Sequence, residues 1–460
     1  MIKMTPDLKK LINKYDRPGP RYTSYPMVPV WDNDFGPDDY DRLLRGASSE
    51  AEKQLSIYLH IPFCRQRCLF CGCNTTALKK DSVHSQYLER VEREADLVFS
   101  RPGQRREISQ LHWGGGTPTC LDSANTVRAF ELVSKRGEIR DDAEISVELD
   151  PRVTDNERIN LLRELGFNRL SFGIQDFNQV VQQAIGRNQD TDKTIELYRF
   201  SRELGFKGIN FDLIYGLPSQ TLESFESSIE KTIELRPDRI ALYSFAYIPK
   251  MRPHQNRLDE SLLPDASEKL RLFLMARGRF VEAGYEAIGM DHFVVPEDEL
   301  ALAARENRLR RNFMGYTVRA AEDWVGLGMS SISYINQGYA QNHGSLKDYN
   351  PALDRNELAT CRGMKLSHDD LIRRYVISEL MCNFRLDLKK IEDLFEIDAK
   401  AYLKDELSEL EEFAMDGLLE READRLAVND TGKIFIRNIA MTFDAYLRKG
   451  KMMTQFSRTV

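Results

Sequence analysis

The chain has 460 residues, 42% of them hydrophobic and 30% charged, which excludes a disordered chain and leaves room for one large catalytic domain with smaller additions. Sixty-five basic against 72 acidic residues give a formal charge of −7, so no global cationic field exists to hold nucleic acid or an anionic membrane. No stretch reaches the roughly 20 apolar residues that span a bilayer, and MIKMTPDLKKLINKYDRPGP at the start lacks the apolar run of a signal peptide, so a cytoplasmic address is expected.

Residues 1–50 are expected to form an arm or lid, because Pro18-Gly19-Pro20-Arg21-Tyr22-Thr23-Ser24-Tyr25-Pro26 is too interrupted by proline for a regular element. Strand and helix patterns then alternate. Strands are predicted at 55–61, 110–113, 144–149, 169–174, 208–215 and 239–247, with a further candidate at 285–290; several are β-branched or aromatic and bounded by Gly, Pro or Asp. Helical periods lie between them, as where Leu222, Phe225, Ile229 and Ile233 share one face and Pro237 ends the pattern. Repeated β-α units predict an α/β fold, a parallel (β/α) barrel over 51–350 that is partial or near-complete. Polar or glycine-rich groups close or follow these strands: His60-Ile61-Pro62, Gly114-Gly115-Gly116-Thr117, Glu148 and Asp150, Gln175 and Asp176, Asp212, and Gly289-Met290-Asp291-His292. In a barrel such loops converge on one mouth; the competing reading is that each caps the next helix.

From 351 to 460 the pattern becomes mainly helical, with helices predicted at 369–382, 386–395 and 399–411 and an alternating stretch at 426–439 whose Asn429-Asp430-Thr431-Gly432 reads as a hairpin turn. This order is compatible with a winged-helix arrangement. Its segment 402–412 is heavily acidic and would repel phosphate, so the domain is read as a structural cover for the barrel, without a nucleic-acid role.

Four of the seven cysteines, Cys64, Cys68, Cys71 and Cys73, fall within ten residues, while Cys120, Cys361 and Cys382 read as small core residues. A reducing compartment disfavours disulfides. A structural zinc site would use four ligands, usually in two separated pairs, whereas this Cys-x3-Cys-x2-Cys loop is compressed and suits an iron-sulfur cluster with one iron left open. Phe63, Leu69 and Phe70 would dry its surroundings. The glycine-rich stretch at 114–119 lacks the Gly-Lys-Ser/Thr of a P-loop, and beside a cysteine loop it is read as a ligand contact.

Tyr58-Leu59-His60-Ile61-Pro62-Phe63-Cys64 with Cys68 and Cys71-Gly72-Cys73-Asn74 resembles the signature of the radical S-adenosylmethionine superfamily, and within it the bacterial oxygen-independent coproporphyrinogen III oxidases. So do the arm at 19–26, His112-Trp113-Gly114-Gly115-Gly116-Thr117-Pro118-Thr119, Gly289-Met290-Asp291-His292-Phe293, Arg311-Asn312-Phe313 with Gly315-Tyr316-Thr317, Tyr339-Ala340-Gln341-Asn342, and Gln455-Phe456-Ser457-Arg458. The resemblance runs essentially end to end. It implies a radical S-adenosylmethionine barrel in which Cys64, Cys68 and Cys71 hold a [4Fe-4S] cluster and Cys73 does not bind iron. It also implies a contact set for S-adenosylmethionine, two molecules being expected, of Tyr58, Phe70, Gly115, Gly116, Thr117, Glu148, Gln175, Arg187, Asp212, Ala246 and Ile332, the last two for the second molecule. Catalytic roles fall to Tyr58, Glu148 and Arg187, and His60, two residues beyond Tyr58 and so on the same side of its strand, is a further catalytic candidate, a satisfied core histidine being the competing reading. The implied reaction turns two propionates of coproporphyrinogen III into vinyl groups, fed by a reduced flavodoxin- or ferredoxin-like donor; the resemblance names no final electron acceptor, and a monomer is expected.

Arg21 and Arg311 are candidates for the substrate carboxylates, an ordinary salt bridge being the competing reading. Met314 departs from the family pattern, where glutamine is common, and a thioether cannot donate a hydrogen bond. Alternatives are a related protein that binds or transfers haem, a radical enzyme with another substrate, and a metal-stabilised regulator with a helical DNA-binding tail.

Overall fold

The computed structural model describes residues 6–47, 53–78, 81–101, 107–319, 321–450 and 456–459. Gln455 of the closing motif and the ends of the expected arm, 1–5 and 48–50, lie outside the described residues. The chain divides into two compact units that interleave along it: Asp32–Pro264 with Arg319–Lys365, and Met1–Trp31 with Asp265–Val318 and Leu366–Val460.

In the first unit six strands alternate with helices: β1 (Leu55–Ile61), β2 (Glu107–Gly115), β3 (Glu138–Leu149), β4 (Arg169–Gln175), β5 (Gly208–Tyr215) and β6 (Arg239–Ser244). Each pairs in parallel with the next. A seventh parallel strand, β7 (Asp323–Leu327), joins the free side of β1, and the antiparallel β8 (Ile332–Ile335), β9 (Gly338–Asn342) and β10 (Thr360–Lys365) continue the sheet beyond it. Within this unit the order is β10-β9-β8-β7-β1-β2-β3-β4-β5-β6, a partial barrel with helices in the crossovers.

The β/α alternation is as expected, and the seventh strand is a correction. Residues 285–290 supply only Glu286–Ile288, antiparallel to His292–Val294 and part of the other unit. Strand β7 had no alternation to betray it, since all five of its residues are buried. Aromatic packing joins strands to crossovers and to one another: Trp113 of β2 meets Phe167 edge-on at 4.9 Å, and Phe172 of β4 lies 5.8 Å from Phe211 of β5.

The crossover helices α1 (Asp81–Phe99), α2 (Ser123–Ser134), α3 (Asn156–Glu164), α4 (Gln179–Ala184), α5 (Thr191–Glu203) and α6 (Leu222–Leu235) show what the strand-end polar groups do. The side chains that cap α2 to α6 are Asp122, Asp155, Asn178, Asp190 and Thr221. None belongs to the expected site, so Thr117, Glu148, Gln175 and Asp212 are spared that task. Asp176 is structural instead: its carboxylate accepts from Asn178 N–H, Ser228 and Gln220.

In the second unit, helices His368–Asn383, Leu388–Phe395 and Lys404–Met415 accompany a three-stranded sheet in which Arg425–Val428 lies between Arg385–Asp387 and Leu419–Arg421. This is a winged-helix order. Two details correct the expectation. The helix predicted at 399–411 breaks at Leu403. The hairpin turns at 422–424, whereas Asn429 Oδ1 accepts from Gly432 N–H and opens a helical segment that runs to Met441. The arm is anchored within this unit by Arg437, which donates to Pro20 O at 3.0 Å and to Gly19 O, and by Tyr22, which donates to Asp444 at 2.9 Å.

Candidate active site at the carboxyl end of the sheet

The cysteine loop follows β1 and closes on its own first residues. Phe63–Cys64 pairs in parallel with Thr76–Ala77, and Thr76 N–H donates to Pro62 O at 2.7 Å, so the base of the loop is clamped. Cys64 Sγ lies 3.5 Å from Thr117 Oγ1. Cys68 Sγ receives Arg152 Nη2 at 3.3 Å and Arg187 Nη1 at 3.5 Å, and the Cys71 sulfur accepts a hydrogen bond from the Cys73 thiol. Among the described residues no three His, Cys, Asp or Glu side chains are grouped to hold a single metal ion. Three thiols on one clamped loop, with hydroxyl and guanidinium donors on two of them, fit the larger, negatively charged frame of an iron-sulfur cluster.

A segment that sequence reasoning missed straps this loop. Gln255, fully buried, donates through Nε2 to Phe70 O and to Ala246 O, each at 3.1 Å, and accepts from Ile248 N–H at 2.6 Å. His254 Nε2 donates to Cys71 O at 2.8 Å, and Arg252 Nη2 to Asn74 Oδ1 at 3.1 Å. No pattern in these residues announces the role, because their partners are backbone carbonyls that any sequence supplies. Phe70 and Ala246, widely separated in the chain, are brought together by this one amide.

Along β1, β2 and β3 runs a polar strip. Register places Tyr58 beside His112 and His112 beside Ser146. The Tyr58 and His112 rings stack at 5.9 Å, and His112 Nδ1 lies 2.7 Å from Ser146 Oγ. His60 Nε2–H donates to Asn74 O at 3.0 Å, which leaves Nδ1 to accept the Tyr58 hydroxyl at 3.0 Å. Burial pushes the His60 pKa down, in keeping with this neutral ring. The packed walls around Glu148 oppose its ionisation, yet His112 and the Gly115 N–H at 3.2 Å outweigh them and hold its carboxyl below the usual range. Its side chain keeps 44% of its surface exposed, so an ionised carboxylate opens on the mouth.

The glycines here are space requirements. A Cβ on Gly114 would lie 3.0 Å from Glu148 Oε1, one on Gly115 (φ 116°) 2.7 Å from the His60 ring, and one on Gly116 2.6 Å from Phe63 O. Across β3 and β4, Arg187 is 4% exposed and contacts Asp150 at 3.1 and 3.3 Å, Gly173 O at 2.5 Å and Gln189 Oε1 at 3.0 Å. Burial opposes ionisation of Asp150, but Arg187 and Arg152 hold its carboxyl low. Gln175 adopts φ 69° at an irregularity of β4 that turns its amide toward Gly173. Asp212 is held by Ser171 Oγ and Asn210 Nδ2, each at 2.9 Å, on the strand after the one that faces Glu148. Ile332 begins β8 and its carbonyl accepts from Trp324 Nε1 at 3.1 Å.

A separate charged group lies in the other unit. Asp291 Oδ1 is 2.7 Å from His292 Nδ1, Asp291 Oδ2 is 4.0 Å from Arg21 Nη1, and Arg311 Nη1 donates to Arg21 O at 2.8 Å. Burial works against the Asp291 charge, but His292, Arg311 and Arg21 bring its pKa down to about 2. Met314 contributes a backbone N–H to Asn312 Oδ1 at 2.8 Å, a bond indifferent to its side chain.

A parallel β/α sheet whose first strand delivers such a three-cysteine loop is the arrangement of the radical SAM superfamily, whose family model matches residues 58–232; the HemN C-terminal domain matches residues 366–435. The chain is 44% identical over 455 residues, covering 98% of it and 97% of its relative, to an oxygen-independent coproporphyrinogen III oxidase of Synechocystis sp.. It is 43% identical over 451 residues to that of Escherichia coli, covering 98% of each chain. The solved structure of coproporphyrinogen III oxidase from Escherichia coli superposes with a TM-score of 0.89 at 41% identity, over 93% of this chain and 97% of that one. The chain belongs to the oxygen-independent coproporphyrinogen III oxidase family, and is therefore an oxidoreductase of the radical SAM class. Membership implies S-adenosylmethionine and an iron-sulfur cluster. Among the described residues no helix is long and apolar enough to cross a membrane.

Proposed function

We propose that this chain converts two propionate side chains of coproporphyrinogen III to vinyl groups without oxygen, releasing two carbon dioxides and forming protoporphyrinogen IX in porphyrin and haem biosynthesis. The observation that carries the reading is the clamped Cys64, Cys68 and Cys71 loop, beside the strip of Tyr58, His60 and Glu148, in a chain similar to these oxidases along nearly its whole length. The three thiolates would hold a [4Fe-4S] cluster with one iron open to S-adenosylmethionine. When bound, that pair would supply a 5'-deoxyadenosyl radical to take a hydrogen atom from the propionate β-carbon, and the substrate radical would then lose carbon dioxide and pass one electron to a separate one-electron acceptor, the chemistry being the cofactor's own.

The chain's residues bind, orient and exclude water. Glu148, ionised and open to the mouth, suits the ammonium of S-adenosylmethionine, and Gly114 to Gly116 leave the room its body needs. The Thr117 hydroxyl would donate to a Cys64 thiolate 3.5 Å away, and Arg187, pinned by Asp150, directs a guanidinium edge at Cys68. Tyr58 and His60 form a neutral hydrogen-bonded pair able to hold a proton at the Tyr58 oxygen without adding charge. Phe70, Gln175 and Asp212 would complete the pocket, with Ala246 and Ile332 serving a second S-adenosylmethionine. A reduced flavodoxin- or ferredoxin-like protein would supply electrons to a monomeric enzyme in the cytoplasm.

Anaerobic reconstitution with iron and sulfide, then reductant, S-adenosylmethionine and coproporphyrinogen III, tests this. The expected products are 5'-deoxyadenosine, methionine, carbon dioxide and protoporphyrinogen IX. Formation of 5'-deoxyadenosine and methionine without carbon dioxide from the tetrapyrrole would remove the substrate assignment and leave the radical chemistry.

A further inference from the structure

Between Cys64 and Asn74 the chain carries two cations, Arg65 and Arg67, and no carboxylate. The strap, 245–258, carries Lys250, Arg252, His254 and Arg257, again with no carboxylate. The hydrogen bonds of Arg252, His254 and Gln255 to Asn74, Cys71 and Phe70 join these two acid-free segments. Gln66, Arg67, Gly72, Cys73, Lys250 and Arg257 are exposed, and Met251 keeps 61% of its surface open among them. Arg67, Lys250, Arg252 and Arg257 form no ion pair among the described residues, whereas cations elsewhere in the molecule are commonly paired, as Arg136 is with Glu92 and Asp96. In a chain of net charge −7 this is a local field of opposite sign, built around one exposed apolar side chain.

We infer that the exposed face of the cysteine loop and its strap is the docking surface of a small acidic electron-carrier protein. The inference rests on the cofactor reading above: one electron leaves the carrier, which is oxidised, and enters the cluster, which is reduced, with no atom transferred. Attraction between an acidic partner and this collar, against repulsion from the rest of an acidic surface, orients the encounter so that the carrier meets the molecule over the loop that carries the thiols, of which Cys64 and Cys71 are half-buried. Met251 and the loop's glycine allow close approach once water is expelled.

The test uses full-length reconstituted enzyme, wild type and the double variant Lys250→Glu with Arg257→Glu, with flavodoxin as the probe. Calorimetric binding of oxidised flavodoxin is measured at ~20 mM and ~200 mM salt, since screening shortens the reach of the field. 5'-Deoxyadenosine formation is timed with reduced flavodoxin and, separately, with dithionite. Charge reversal is expected to weaken low-salt binding by more than about tenfold and to slow the flavodoxin-driven reaction at limiting carrier to a similar degree, leaving the dithionite-driven rate within about twofold. Equal flavodoxin affinities and rates in the two proteins would overturn the docking surface. So would an equal fall with dithionite, which would assign the two cations to the site itself, or flavodoxin binding no tighter than that of duplex DNA at equal salt, which would make the face a general polyanion patch. Failure of wild-type enzyme to form 5'-deoxyadenosine even with dithionite would remove the cofactor reading, and this inference with it.

Discussion

Gln255 carries more of the site than its residue type suggests. Its amide satisfies two carbonyls and its oxygen one N–H, so Gln255→Leu leaves three half-buried polar groups without this partner, at up to about 1 kcal/mol each where water cannot reach them. The variant is expected to lose iron faster after reconstitution and to raise KM for S-adenosylmethionine more than it lowers kcat, read by iron release to a chelator and by initial rates. Gln255→Glu, which keeps an acceptor and loses the donor, is expected to fall between. Asp291 offers a titration instead. Its folded pKa of about 2 lies below the ordinary carboxylate value of 3.8, so the group adds stability that is fully present above pH ~4 and lost as pH falls through about 2. Asp291→Asn is expected to unfold about 2 kcal/mol more readily than wild type at pH 7, by denaturant titration, with the difference closing in acid. The cysteine loop, His60 and Glu148 drew notice because they close or follow predicted strands, and Tyr58 only through the family resemblance; His254 and Gln255 had no signal, because a side chain bonding to a distant carbonyl leaves no spacing or pattern.

Among the elements, the end of β2 and the cysteine loop contrast in their glycines. Gly115 has φ 116° and no room beside the His60 ring, whereas a Cβ on Gly72 would meet nothing within 4 Å. Gly115→Ala is therefore expected to displace the His60 and Tyr58 pair and lower kcat/KM more than about a hundredfold, while Gly72→Ala stays within about threefold; equal losses in the two would contradict the steric account. The β/α alternation was readable since strand and helix periods differ and helix stops such as Pro237 punctuate them. Strand β7 was not, because a fully buried five-residue strand has no amphipathic signature. Asn429-Asp430-Thr431-Gly432 shows the converse error: turn-forming residues signal a change of direction, and Asn429 turns the chain into a helical segment as readily as into a strand.

At the scale of the molecule, segment Asp265–Val318 shares a unit with Leu366–Val460. Leu270 and Leu274 belong to one core with Ile372, Val376 and Leu380, and Ile288, Val294 and Tyr316 pack with Cys382. A chain ended after Lys365 would uncover these side chains, and it is expected to aggregate or elute as large oligomers on size exclusion, where the full chain elutes as one species. The sequence by itself determined the class of chemistry, the alternation of the sheet and the residues at its carboxyl end, since thiolate spacing and hydrophobic period are local properties. Tertiary structure alone decided which distant segments share a core, where β7 enters the sheet, and which amide straps the cysteine loop. Those contacts join residues far apart in the chain, and the free energy that selects them is that of burying both partners together, which no single segment encodes.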